Sequence, residues 1–187
     1  IQALVLHLSG TGARTRDMVR MIAHLNDQIL LRLIALLREQ RFADLPERFA
    51  FVVLGSEGRG EQTLLTDQDN AIVYGDELDK DQIQQIERFS EELIDSLIAI
   101  GIPPCPGGIM ANNQEWRRSL SQWTEQLNDW LRTPTPTNVL NCGTFVDIRT
   151  IYGDASFEQQ LKKQIYDHVK RDKLFLMRMV ENTLRFV

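Results

Sequence analysis

Residues 49–62 read FAFVVLGSEGRGEQ, and residues 67–74 follow with DQDNAIVY. The run from Phe49 to Leu54 is short, apolar and rich in β-formers, and Gly55 halts it; this pattern predicts a buried strand. Glycines at 55, 58 and 60 then impose a turn, from which the chain can enter a helix. A polar segment leads to a second strand ending in Ala71, Ile72, Val73 and Tyr74. Strand, glycine turn and strand in quick succession point away from an all-helical fold.

Helical periodicity surrounds this unit. Met18, Met21, Ile22, Leu25, Ile29, Leu33 and Leu37 recur at three- and four-residue intervals, predicting an amphipathic helix capped by Thr15 or Thr11 and ended by Asp44, Leu45 and Pro46. Ile83, Ile86, Phe89, Leu93, Leu97 and Ile98 mark a second helix, stopped by Gly101 and the Pro103–Pro104 pair. Residues 103–108 must be a loop, because proline and glycine together exclude regular structure. Trp116, Leu120, Trp123, Leu127 and Trp130 predict a helix whose aromatic stripe packs in the core. Thr133 to Pro136 break the chain, residues 144–150 alternate like a strand, and residues from Phe157 onward read as helix. The expected fold class is α/β (α+β): a small mixed-sheet core flanked by N- and C-terminal helices. The expected division is an N-terminal helical segment packed on the core (1–46), the core itself (47–153), and the start of a C-terminal helical, substrate-side region (154–187). The initial Ile1 and the helical pattern at the end make the chain read as a fragment of a longer protein.

Composition narrows the function. The 187 residues are 43% hydrophobic and 25% charged, with a formal net charge of -5, as in ordinary globular proteins. No run of Lys or Arg forms a footprint for phosphates, which argues against duplex nucleic acid as the partner. The apolar stretches fall short of the roughly 20 residues a membrane span needs, and no signal peptide opens the chain. A cytoplasmic location follows as the expectation. Cys105 and Cys142 are expected as free thiols, and with His7, His24 and His168 they show no zinc-ligand spacing.

The chemistry concentrates between Leu54 and Asn70. Backbone N–H groups at a Gly55-Ser56 turn following a strand suit phosphate oxygens, and the Ser56 hydroxyl adds a donor. Taken alone, such a turn is common. Asp67 and Asp69 stand two apart at a strand entrance, so both side chains point to one face. Two such carboxylates repel unless a cation sits between them, and oxygen-rich sites suit Mg²⁺; a solvated turn is the simpler alternative. Asp147, on the expected strand, either serves the site or pairs with Arg149.

Together these pieces resemble the nucleotidyltransferase pattern of the DNA polymerase beta superfamily: strand, Gly-Ser turn, short helix, Asp-x-Asp strand and a later strand acid. The fuller string from Gly55 to Gln62, continuing from Thr66 to Ala71, is similar to the nucleotidyltransferase family attached to CBS or cyclic-nucleotide-binding domains in bacterial signalling proteins. That family is related to the uridylyltransferases that modify nitrogen-regulatory proteins. Residues 105–111, Trp116-Arg117 and residues 145–149 carry the likeness further. The resemblance implies that Asp67, Asp69 and Asp147 bind Mg²⁺ or Mn²⁺ and form the catalytic set, with Asp147 helping to deprotonate the acceptor hydroxyl. It implies that Gly55 and Ser56 bind the triphosphate, with Arg59 and Glu61 ordering the turn as a pair or Arg59 touching phosphate. The implied partners are a nucleoside triphosphate, a protein or small-molecule acceptor, attached CBS or cyclic-nucleotide-binding domains, and a second copy in a homodimer. A non-catalytic nucleotide-sensing module is the alternative; a scaffold pairing through the first helix is a third reading.

Overall fold

Alternate residues of Phe49–Val53 (β1) serve two different cores. The structure, a computed structural model, describes residues 14–62 and 67–184. β1 is flanked by two antiparallel neighbours, Asn70–Tyr74 (β2) and Arg149–Gly153 (β4), and Arg117–Ser119 (β3) runs parallel to β2 at the far edge. The order β3-β2-β1-β4 makes a mixed sheet, in agreement with the expected fold class. Phe49, Phe51 and Val53 face one side with Ile72 and Tyr74; Ala50, Val52 and Leu54 face the other with Ala71 and Val73. Because strand side chains alternate and both faces are covered by helices, β1 and β2 are buried at every position. That two-sided burial explains why FAFVV shows no polar alternation.

On the first face lie α1 (Thr15–Gln40) and α3 (Lys80–Ala99). The packed residues of α1 are Ile22, Ala23, Leu30, Ile34 and Leu37; Ile22 and Leu37 of the expected line are among them and Leu33 packs against the same core, whereas Met18, Met21, Leu25 and Ile29 are not buried. Ile29 is 36% exposed. Two apolar lines share this helix, and the buried one contains Ala23, whose methyl lies 3.9 Å from where a Cβ on Gly60 would stand. Arg14 occupies the N-cap position without a side-chain cap, so Thr15 is helical; Thr11 lies outside the described residues. The helix ends at Gln40, before Asp44. α3 starts on a capping box in which Asp79 and Gln82 satisfy each other's backbone N–H groups.

The second face carries α4 (Leu120–Arg132), α5 (Pro136–Phe145), α6 (Ser156–Arg171) and α7 (Lys173–Leu184). Trp116, Trp123, Trp130 and Phe145 form its aromatic centre, with Trp123 and Phe145 centroids 4.6 Å apart. The aromatic stripe is core, as expected, but two boundaries move. Trp116 ends a 3-10 turn ahead of β3, and the helix begins only at Leu120, behind the capping box of Ser119 and Gln122. Residues 144–148 are not strand, and only Arg149 and Thr150 of the expected strand lie in β4: α5 runs to Phe145, two turn residues follow, and β4 starts at Arg149. Thr135 caps α5, accepting the Asn138 N–H at 3.1 Å, Pro136 stands in its first turn, and Val139, Cys142 and Phe145 are buried at helical spacing. Asp147 therefore sits in the α5–β4 turn rather than on a strand. Cys105 and Cys142 are both free, and no helix among the described residues is long and apolar enough to cross a membrane.

Candidate functional site

The end of β1, the entrance to β2 and the start of β4 meet at one corner, where Val53 stands opposite both Asn70 and Arg149. Leu54 is still extended; Gly55, at φ +51°, turns the chain into a single helical turn, Gly55–Gly58 (α2). That left-handed φ favours glycine. The amides opening such a turn have no preceding helical carbonyls to meet. Half-buried Ser56 is the second residue of α2, and its carbonyl accepts the Glu61 N–H at 2.8 Å, closing the loop beyond the turn.

The acid segment is pinned to this turn. Leu54 donates its N–H to the Asp69 carbonyl at 2.8 Å, and a Cβ on Gly55 would come within 3.1 Å of Asp69 Oδ2. The missing side chain at 55 leaves the space beside the Asp69 carboxylate. Burial, and secondarily the charge of Asp67, push the Asp69 carboxyl up, while a hydrogen bond with the Cys105 thiol pulls it down. Asp67 is exposed. The loop at residues 102–111 holds the segment from behind: Gln68 N–H and Nε2 donate to the carbonyls of Pro103 and Ile102, Asn70 N–H donates to Ile109 O, and Asn70 Oδ1 accepts the Ala111 N–H at 2.8 Å. Gln68 and Asn70 are buried. Polar residues at 68 and 70 interleaved with the acids are the sequence signal for this support.

Asp147 reaches the same turn from the other side. A Cβ on Gly58 would stand 2.0 Å from the Asp147 carbonyl oxygen, so Gly58 permits a backbone approach. The Asp147 carboxylate is paired with Arg59, which also donates Nε to Glu61 Oε2 at 2.8 Å. The expected Arg59–Glu61 pair is present; the Asp147–Arg149 pair is not, because Arg149 turns toward α1. Its Nη1 and Nη2 donate to Asp27 at 2.8 and 3.0 Å, and Nη2 and Nε donate to the carbonyls of Glu57 and Gly58 at 2.8 and 3.1 Å. A cleft of about 310 Å³ between α1 and the turn is lined by Arg20, His24, Arg59 and Arg149, with Asp27 its one acid.

Glu57 is the titratable group the motif reading left without a role. Its carboxyl is pushed up to about 8, first by burial, then by Asp27 and Asp69, against the attraction of Arg149 and a hydrogen bond with Gln62. Whether the acids suit a divalent cation follows from the donor set. Asp67 and Asp69 offer hard carboxylate oxygens, their mutual repulsion is a charge surplus that a cation relieves, and Gly55 keeps a side chain out of the adjoining space. The pair fits a cation. Among the described residues no three His, Cys, Asp or Glu side chains gather around one point, and Asp147 is held by Arg59.

A family model described as Putative nucleotidyltransferase DUF294 matches residues 1–137. The match includes Gly55, Ser56, Asp67 and Asp69 and ends before Asp147. No curated protein matches the chain.

Proposed function

The chain belongs to this nucleotidyltransferase family, and we propose that it moves a nucleoside monophosphate from a nucleoside triphosphate to a hydroxyl on a protein or small molecule, the acceptor oxygen bonding to the α-phosphorus as the α–β anhydride breaks and pyrophosphate leaves. The observation that carries the reading is the seat of Asp69: its carboxylate lies beside the glycine that opens the Gly55–Gly58 turn. Gly55 and Ser56 bind the triphosphate through backbone N–H groups, with the Ser56 hydroxyl as a further donor. Arg59 and the basic cleft beside it draw the anion toward the turn in a chain of net charge -5. Mg²⁺ or Mn²⁺, held by Asp67, Asp69 and Asp147, would neutralise charge at the reacting phosphate. Asp147 accepts the proton of the acceptor hydroxyl, which requires Arg59 to leave it for the phosphates.

In its finer form the activity is uridylyltransferase-like and belongs to bacterial signalling in the cytoplasm. CBS or cyclic-nucleotide-binding domains are attached in the full-length protein, residues 154–187 begin the acceptor-side region, and two copies pair. The string from Gly55 to Ala71 supports this form. A second reading, a nucleotide-sensing module, draws on the pairing of Asp147 with Arg59, which engages the third acid of the expected set. Incubating the full-length protein with each α-labelled nucleoside triphosphate, Mg²⁺ or Mn²⁺ and candidate acceptors separates the two. Label on a macromolecule supports the transferase, and metal-dependent binding without transfer supports the sensor. Failure to bind any triphosphate refutes both.

A further inference from the structure

The packed face of α1 is interrupted at its middle by two polar residues, Asn26 and Asp27, lying between Ala23 and Leu30. Polar atoms on a packed helix face are costly unless each finds a partner, and here both partners, Arg149 at the start of β4 and Gln62 just past the turn, reach on to the candidate phosphate turn. Asp27 takes both ends of the Arg149 fork, and the same guanidinium donates to the carbonyls of Glu57 and Gly58. Those carbonyls end a helix of a single turn: Glu57 O accepts the Gly60 N–H at 3.1 Å as well as the Arg149 bond, and Gly58 O is met by Arg149. Asn26 donates Nδ2 to Gln62 Oε1 at 2.9 Å. Gln62 is 3% exposed and shares a hydrogen bond with the Glu57 side chain. The two residues thus grip the turn at two points, its terminal carbonyls and its Glu57 side chain.

We propose that Asn26 and Asp27 of α1 are positioning residues that set the geometry of the Gly55–Gly60 turn, making the turn's ability to bind triphosphate depend on the placement of α1. The consequence for binding rests on the phosphate-binding reading of the turn; the clamp itself does not. The fork geometry makes the dependence sharp. A guanidinium that meets a carboxylate through two parallel N–H bonds tolerates little sliding, and shifting α1 by one residue unpairs both contacts. Arg149 cannot be exchanged for lysine without losing the fork, although the charge survives.

The test uses the whole chain with Asp27→Asn, Asn26→Ala and Arg149→Lys, and with Asp17→Asn as an exposed control on the same helix. Hydrogen–deuterium exchange over residues 54–62 is followed beside that over β1, β2 and α3. Binding of non-hydrolysable ATP and UTP analogues with Mg²⁺ is measured by calorimetry. The three clamp variants should raise exchange in the turn by about tenfold or more, the effect of losing a charge-assisted hydrogen bond, and weaken the triphosphate that binds by a comparable factor. Exchange in the sheet and in the control should stay as in the parent. Exchange that rises evenly along the chain, or a turn no looser than in the parent, would overturn the proposal. If the parent binds neither analogue while the variants still loosen the turn selectively, the clamp stands and the triphosphate reading falls. Arg149→Lys keeps a cation beside Asp27, so it remains informative if Asp27→Asn fails to fold.

Discussion

Arg59 stands between two roles, and Asp147 shows which it is filling. The guanidinium is 46% exposed and bridges Glu61 and Asp147 across the mouth of the turn. Pairs this open contribute little to stability, about 0–1 kcal/mol, so their arrangement bears on the site more than on the fold. Asp147→Asn should accordingly shift the unfolding free energy by less than about 1 kcal/mol in denaturant titrations. The same change should abolish label transfer if Asp147 receives the acceptor proton. A variant that melts normally and still transfers nucleotide would take Asp147 out of the chemistry and leave Asp67 and Asp69 alone. The pairing of Asp147 could not be read from the sequence. Spacing of two on a supposed strand put Asp147 and Arg149 on one face, whereas a helix end and a turn send them to different partners, Arg59 and Asp27.

At the scale of elements, legibility followed how many local signals agreed. β1 and β2 carry dense β-formers closed by glycine, and α3 carries both an apolar period and a capping box, so their positions were readable. Residues 144–150 alternate, but the capping Thr135 and the Pro136 after it start a helix upstream whose buried Val139, Cys142 and Phe145 outweigh the alternation. β3 has three residues, and its strand character comes from pairing beside β2, which no periodicity encodes. On α1, two apolar lines competed, and the small Ala23 facing Gly60 marks the buried one. The Gly-Ser turn and the Asp-x-Asp pair were legible because their residue types are unusual in that context. Asn26, Asp27 and Gln62 were not, being ordinary polar residues until the fold brings them together. α4 shows how firmly one element is tied: Trp123 is fully buried and donates Nε1 to the Ile72 carbonyl at 2.9 Å. Trp123→Phe removes that bond and leaves a partial cavity, a cost of about 2 kcal/mol. For a chain of this length, a fall in Tm of roughly 4–8 °C is expected by calorimetry. No change in Tm would mean that the aromatic centre repacks freely.

At the scale of the whole molecule, two hydrophobic cores share one sheet, and the candidate site lies at the corner where three strands of that sheet end or begin. The turn is thereby fixed to both layers: to α5 and β4 through Asp147 and Arg149, and to α1 through Asp27. Glu57 lies inside that junction, and its titration should be visible in the stability of the entire chain. Its carboxyl is pushed up to about 8 from an ordinary 4.5, burial being the largest cause. The folded protein then keeps a proton that the unfolded chain releases above 4.5. Because the folded state binds more protons across this window, stability falls as pH rises from about 4.5 to about 8 and levels off beyond it. The loss from this one group is on the order of a few kcal/mol. Glu57→Gln preserves the shape of the protonated carboxyl and has nothing to release. Its unfolding free energy should match that of the parent below about pH 4 and exceed it by a margin that widens up to about pH 8 and then levels off. Subtracting one curve from the other cancels the titration of groups common to both chains. Parallel curves over that range would show that Glu57 is ionised in the folded state, with Arg149 outweighing the burial.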